Sequence, residues 1–157
     1  MNTMSTTDTQ RRDSIARAAV ERAIAESAPG FGTFFLARFL DLDISYDDQA
    51  RTCTVRLPWA EHLCNPQGSL HGGILATALD ISMGHLAKRH VATCVTVEMQ
   101  QRFMRPLTGD GRCVATLLST GRTLVHAESR LYDEQDRLVA VATGSWYVLP
   151  TREEDPA

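Results

Sequence analysis

Asp80 is the residue of this chain that folding alone explains least. It is the only formally charged side chain between Gly73 and Ala87, inside a run that is otherwise apolar, small or neutral. An unpaired carboxylate is expensive to bury, so Asp80 must be hydrogen-bonded, paired, partly solvated or protonated. One reading is structural, an Asp tied to Thr77, to Ser82 or to a neighbouring chain. Its surroundings favour chemistry instead. At helical spacings of three, four and seven residues lie Gly73, Ala76, Thr77, Met83, Gly84 and Ala87, a narrow stripe of mostly small side chains that leaves room for a ligand or another backbone.

A second group stands at the entrance of the same segment: Asn65, then His71, Gly72 and Gly73. The first turn of a helix carries unsatisfied N–H groups and a positive partial charge, and glycines there let a ligand oxygen approach the backbone. Such a start can act as an oxyanion hole. Asn65 offers an amide donor, and His71 a donor to an acyl oxygen or a leaving group. Taken singly, Gly-Gly is an ordinary turn and His71 an ordinary cap.

The elements that must position these groups follow from patterning. Residues 1–12 have almost nothing to bury and read as a mobile tail. Asp13 or Ser14 to about Ser27 forms a modest helix, stopped by Pro29-Gly30. Leu36 to Ser45 alternates Leu40, Leu42 and Ile44 with Asp41 and Asp43, which predicts a strand, and Arg51 to Leu57 alternates again to complete a hairpin. The segment from Pro58 to Gly73 is loop, punctuated by Pro66 and Gly68. Gly73 to Arg89 is a helix buried on most sides. Four strands follow, at 93–104, 111–120, 123–132 and 137–149, separated by turn signals. The last has bulk on both faces, so it is central or at an interface. Short connections make neighbouring strands antiparallel, and the order predicts an α+β domain in which one curved antiparallel sheet wraps a single apolar helix. Val, Leu and Trp on the sheet's second face predict a homo-oligomer. The domain spans 13–150, and residues 151–157 form a charged, frayed end.

Composition sets the remaining bounds. At 157 residues the chain suits one domain. With 43 % hydrophobic and 22 % charged residues, it is neither disordered nor fibrous. A net charge of −3 gives no reason to expect nucleic acid. That total conceals a basic strip. Lys88, Arg89, Arg102, Arg105, Arg112 and Arg122 against Glu98 and Asp110 give +4 between residues 88 and 122, and leave −7 elsewhere. This suits a small polyanionic ligand. Cys53, Cys64, Cys94 and Cys113 are too widely spaced for a metal site and read as free thiols in a reducing compartment. The N-terminus is no secretory signal, and nothing approaches the roughly 18 to 20 apolar residues of a membrane span. A cytoplasmic protein is predicted, with no membrane partner.

Asn65, His71-Gly72-Gly73 and Leu79-Asp80, followed by VTVEMQQRFMRPLTGD and GRTL, resemble the hotdog-fold acyl-CoA thioesterases of the PaaI-like (phenylacetate-pathway and 4-hydroxybenzoyl-CoA) group over about residues 35–149. The resemblance implies the hotdog fold, a central helix wrapped by an antiparallel sheet with two subunits pairing sheet to sheet, as a homodimer or homotetramer. It implies that Asp80 is the catalytic carboxylate, acting on water or as a nucleophile. It implies that the Gly72 N–H and Asn65 hold the oxyanion, that His71 helps place substrate or leaving thiolate, and that Thr96 positions the water. Gly73, Arg122 and Thr123 would contact coenzyme A, which enters as part of the substrate, with no separate cofactor and no metal. Asp80 and Asn65 of one site would come from different chains.

The chemistry is sound on first principles. Thiolate is a good leaving group, so a held water, an Asp and a strong oxyanion hole suffice without a triad. No serine sits in G-x-S-x-G, and Ser69 has no visible elbow, so a serine hydrolase is disfavoured; the Asp/His spacing of enoyl-thioester hydratases is also absent. The expected function is hydrolysis of a small aryl- or medium-chain acyl-CoA. The rival is a non-catalytic hotdog module that binds such a thioester.

Overall fold

The computed structural model describes residues 6–150; residues 1–5 of the tail expected over 1–12, and all of 151–157, lie outside them. The element order is α1 (Thr6–Glu26), α2 (Phe35–Phe39), β1 (Asp43–Asp47), β2 (Thr52–Leu57), a 3-10 turn (Glu61–Leu63), α3 (Gly72–His90), β3 (Cys94–Phe103), β4 (Gly111–Thr120), β5 (Leu124–Asp133) and β6 (Leu138–Val148). The six strands form one antiparallel sheet in the order β1-β2-β4-β5-β6-β3. It packs on α3, which gives the α+β hotdog fold. No described helix is long and apolar enough to cross a membrane.

Helix α3 is covered because its sequence allows nothing else. Leu75, Ala78, Leu79, Met83, Leu86 and Ala87 are buried against inward residues of the sheet such as Val55, Cys113, Ala115, Val125, Leu131 and Trp146. A fully buried polar link joins the layers. The Ser82 hydroxyl donates to the Leu79 carbonyl at 2.7 Å and lies 2.7 Å from the Ser129 hydroxyl on β5, so both buried hydroxyls are satisfied. All four cysteines are free, and burial pushes the Cys53 thiol up to about 12.

Three expectations change. Helix α1 begins at Thr6, so residues 6–12 are its first turns and not a tail; Arg11 pairs with Glu61 at 2.8 Å. The segment from Leu36 to Ser45 is not one strand. It is the short helix α2, a break at Asp41 with φ of 55°, and β1 from Asp43. Asp tolerates that left-handed turn, and the turn separates residues whose alternation only mimics a strand. Finally, Trp146 faces α3 and is buried. On the outer face Arg112, Thr116, Glu128 and Arg130 stand beside Val114 and Tyr132, so that face is mixed and not uniformly apolar. Exposed apolar side chains of the sheet include Val95, Val97 and Phe103 on the edge strand β3, Met104 after it, and Leu118, Leu124 and Tyr147.

Leu79 is fully buried between the helix and the sheet. Leu79→Ala is expected to lower the free energy of unfolding by roughly 2–5 kcal/mol, read as a fall in the urea midpoint with an unchanged slope.

Candidate active site

The cap of α3 decides what its N-terminus can offer. His71 is the N-cap, and its Nδ1 accepts from the Gly73 N–H at 2.9 Å. A nitrogen that accepts cannot carry the proton, so the ring proton is on Nε2, which becomes the outward donor. Gly73 keeps this cap in place, since a Cβ there would come within 3.2 Å of Nδ1. The Ile74 and Leu75 N–H groups both donate to the His71 carbonyl. Among the described residues the Gly72 N–H alone of this first turn has no acceptor. The Phe103 ring lies over Gly72, 3.6 Å from where a Cβ would stand.

Asn65 spends most of its side chain on its own loop. Its Oδ1 accepts from the Gln67 and Ser69 N–H groups at 3.0 and 3.2 Å, and its Nδ2 donates to the Ser69 hydroxyl at 2.9 Å. One amide proton remains. Asn65 and Gly72 share a shallow cleft with Phe103, Met104 and Arg105.

Asp80 opens into a different cleft, of about 670 Å³, lined among others by Phe34, Ala76, Thr77, Thr96, Met99 and Trp146. The stripe of small residues does leave space. Neither partner of the structural reading touches the carboxylate: Thr77 donates to the Gly73 carbonyl at 2.9 Å, and Ser82 is committed to Leu79 and Ser129. Its donor is Thr96, whose hydroxyl lies 3.0 Å from Oδ1. Thr96 reaches it through a bulge in β3. Thr96 is opposite Trp146 and Glu98 opposite Ser145, leaving Val97 unmatched, a local change of twist that re-aims a side chain. Burial raises the Asp80 pKa, and the Thr96 hydrogen bond partly offsets this. The carboxylate is therefore a stronger base than a solvated one, with its second oxygen free to hold a water.

The predicted groups thus fall into two clefts. Asp80 and Thr96 meet in one, Asn65 and Gly72 in the other, and eight residues of helix, about 12 Å, separate Gly72 from Asp80. Arg122 and Thr123 join neither. They form the β4–β5 turn, where the Gly121 N–H donates to the Leu124 carbonyl and the Thr123 carbonyl accepts from Val148. The basic strip is also partly spent. Arg89 grips Asp48 with two hydrogen bonds, Arg112 pairs with Asp136, and Arg105 donates to the Leu138 carbonyl. Arg102 and Arg122 remain exposed and without a partner among the described residues. A further cleft, lined by Asp41, Asp43, Asp110, Asp133, Glu134 and Asp136 with Arg56 and Arg112, has an excess of negative charge that repels a polyanion.

Residues that the sequence reading did not weigh complete the Asp80 cleft. Phe31 and Phe34 come from the α1–α2 connection, and His85 lies on α3 itself. A second polar side chain in an apolar helix was a readable signal for His85. The phenylalanines gave none, because the reading placed a strand beside them.

Comparison with known proteins agrees with this architecture. The thioesterase superfamily profile matches residues 67–140, from the loop before α3 into β6. The Saccharolobus solfataricus protein named "Putative esterase SSO2140" is 32% identical over 118 residues, 73% of this chain and 84% of that protein. The solved structure of BH2602 from Bacillus halodurans with CoA is 28% identical, with a TM-score of 0.77 over 96% of this chain and 99% of that one. The E. coli PaaI protein from the phenylacetic acid degradation operon shares the fold, with a TM-score of 0.72 at 19% identity over 87% of this chain and 96% of its own. With its helix start, central carboxylate and wrapped sheet, this chain belongs to the thioesterase superfamily.

Proposed function

We propose that the protein hydrolyses acyl-CoA thioesters with a small aryl or medium-chain acyl group, in sites completed by two chains. The observation that carries the reading is the Asp80–Thr96 pair, a carboxylate of raised basicity at the wall of an apolar cleft. Asp80 takes a proton from a water that Thr96 and the free carboxylate oxygen hold. The resulting hydroxide attacks the thioester carbon, the oxyanion is held by N–H donors, and the thiolate leaves. The CoA bound to BH2602 supports a coenzyme A thioester as the substrate class. Arg102 and Arg122, exposed and unspent, are the candidate phosphate contacts, with Thr123 beside the latter.

The oxyanion donors cannot come from the same chain, since Gly72 and Asp80 are about 12 Å apart along α3. The free edge of β3 offers a solution. If two copies pair antiparallel through this ten-residue strand, the Cys94–Thr96 end of one lies beside the Gln101–Phe103 end of the other. Phe103 packs over Gly72, so that pairing carries the second copy's Gly72, Asn65 and His71 towards the first copy's Asp80. The unpaired edge and the exposed Val95, Val97 and Phe103 give the contact its driving force. A homodimer is the minimum, and a pair of dimers satisfies the same geometry.

Release of thiol from a panel of acyl-CoAs tests the reading. The wild type should hydrolyse at least one class, and Asp80→Asn should lose roughly a hundredfold or more. No release above blank would leave the binding-module reading in its place, and an equally active variant would remove Asp80 as the catalyst. The raised Asp80 pKa fixes the sign of the pH dependence. Activity should fall as the pH drops through a value above the usual carboxylate range, and Thr96→Ala, which removes the bond favouring the anion, should move that acid limb to higher pH. The same shift bears on stability. A carboxyl whose pKa is raised by folding stabilises below its unfolded pKa and loses that contribution as the pH rises through the folded one. Asp80→Asn should therefore melt higher than the wild type at pH 7, with the difference closing in acid.

A further inference from the structure

Strand β6 carries a glycine, Gly144, in its interior, where a larger residue would pack better and lose less entropy on folding. Gly144 pairs with Met99, one step beyond the bulge in β3. A Cβ there would stand 2.9 Å from the Glu98 carbonyl oxygen, and 2.7 and 2.9 Å from Cη2 and Cζ3 of the Trp146 ring. Gly111, at the start of β4, differs in kind. Closer than 3.0 Å, its missing Cβ would meet only the ends of Leu107 and Leu131. Those side chains can turn aside, whereas a backbone carbonyl cannot retreat without moving its strand.

The carbonyl that Gly144 admits belongs to the bulge. Thr96 lies opposite Trp146, Val97 has no opposite, and Glu98 returns to register opposite Ser145. Ser145 alternates with the inward Trp146 and so points to the outer face. There its hydroxyl donates to the Glu98 carboxylate at 3.3 Å and lies 2.9 Å from His126 Nδ1. Glu98 is thus held by its side chain on one face of the sheet and accommodated by its carbonyl on the other. The outcome of this bulge is the Thr96 hydroxyl at 3.0 Å from Asp80. Ordinary contact with a Cβ begins at 3.4 Å, so an alanine at 144 would push the Glu98 carbonyl out from 2.9 Å to at least that distance. The same displacement carried to Thr96, two residues away, stretches its bond to the limit at which a hydroxyl still holds a carboxylate. We infer that Gly144 is a positioning residue for the reaction: by admitting the Glu98 carbonyl it sets the β3 bulge, and through the bulge the hydrogen bond from Thr96 to Asp80. The inference rests on the thioester-hydrolase reading for what Asp80 does, and not for where the bulge aims Thr96.

The Asp80 carboxyl reports the effect directly, through its NMR titration in wild type, Thr96→Ala, Gly144→Ala and the double variant. The Thr96 bond favours the anion, so its loss raises the Asp80 pKa. Gly144→Ala should raise that pKa by about as much as Thr96→Ala does. The double variant should titrate with Thr96→Ala, because two routes to the same lost bond do not add. Cys94 and His85, the other titratable side chains on the cleft, are unchanged in all four. Where thioester turnover is measured, the acid limb of kcat/KM should move with the titration. A wild type that hydrolyses no thioester removes the hydrolase reading and leaves the titration to decide the role of Gly144. Trp146→Phe withdraws the far edge of the ring and separates the two contacts. In that background Gly144→Ala should still raise the Asp80 pKa, and this pair is the one read if the single variant does not fold. An Asp80 pKa unmoved by Gly144→Ala, effects that add in the double variant, a shift that Trp146→Phe abolishes, or failure to fold in both backgrounds overturns the inference, because packing alone then accounts for the glycine.

Discussion

A carboxylate on an apolar helix sets the terms for the rest of the molecule. Helix α3 must be buried on most of its circumference to fold, yet Asp80 cannot be sealed in without a partner or a change of protonation. The sheet meets both demands by covering the side that carries Leu75, Leu79, Ser82 and Leu86, while the Asp80 side stays open. Thr96 then supplies one directed hydrogen bond, short of the full solvation that would return Asp80 to an ordinary acid. The bulge at Val97 is the local adjustment that lets an edge strand deliver this hydroxyl.

The same division leaves two separate clefts on the chain. The helix start and its Asn65 loop gather donors at one end, and the carboxylate gathers a base at the middle. The strand running alongside both, β3, is one of the sheet's two edge strands. Charge follows a similar logic. Pairing of Arg89 with Asp48 and of Arg112 with Asp136 reduces a broad basic strip to a few free guanidinium groups, and the cleft bordered by Asp133 and Glu134 carries an excess of acidic side chains.

Much of this was legible before any coordinates. Helix α3 and strands β2 and β4 to β6 declared themselves because burial imposes a period on the residues that form them, and Asp80 stood out as a violation of that period. Thr96 could be placed only through the family resemblance, since nothing in VTVEM indicates a bulge. The segment around Leu40 to Ile44 misled because alternation reports which side chains are buried and not whether the backbone between them is continuous; the left-handed Asp41 interrupts it. The wall of Phe31, Phe34 and His85 was illegible for another reason. Its members come from two distant segments, and no local pattern records that they meet.

The Ser82–Ser129 contact has a consequence for how this protein can vary. Ser82 lies on the side of α3 turned away from Asp80, and its hydrogen bond with Ser129 ties the helix to β5 in one rotational setting. The aim of the carboxylate is thereby fixed from behind. Ala76 and Met99 on the open side can then change in size without turning the helix, because the Ser82–Ser129 and Thr96–Asp80 contacts hold its orientation. The aim of the carboxylate and the shape of the cleft are carried by opposite faces of one helix, so in the proposed reaction ligand preference can drift while Asp80 stays where it is.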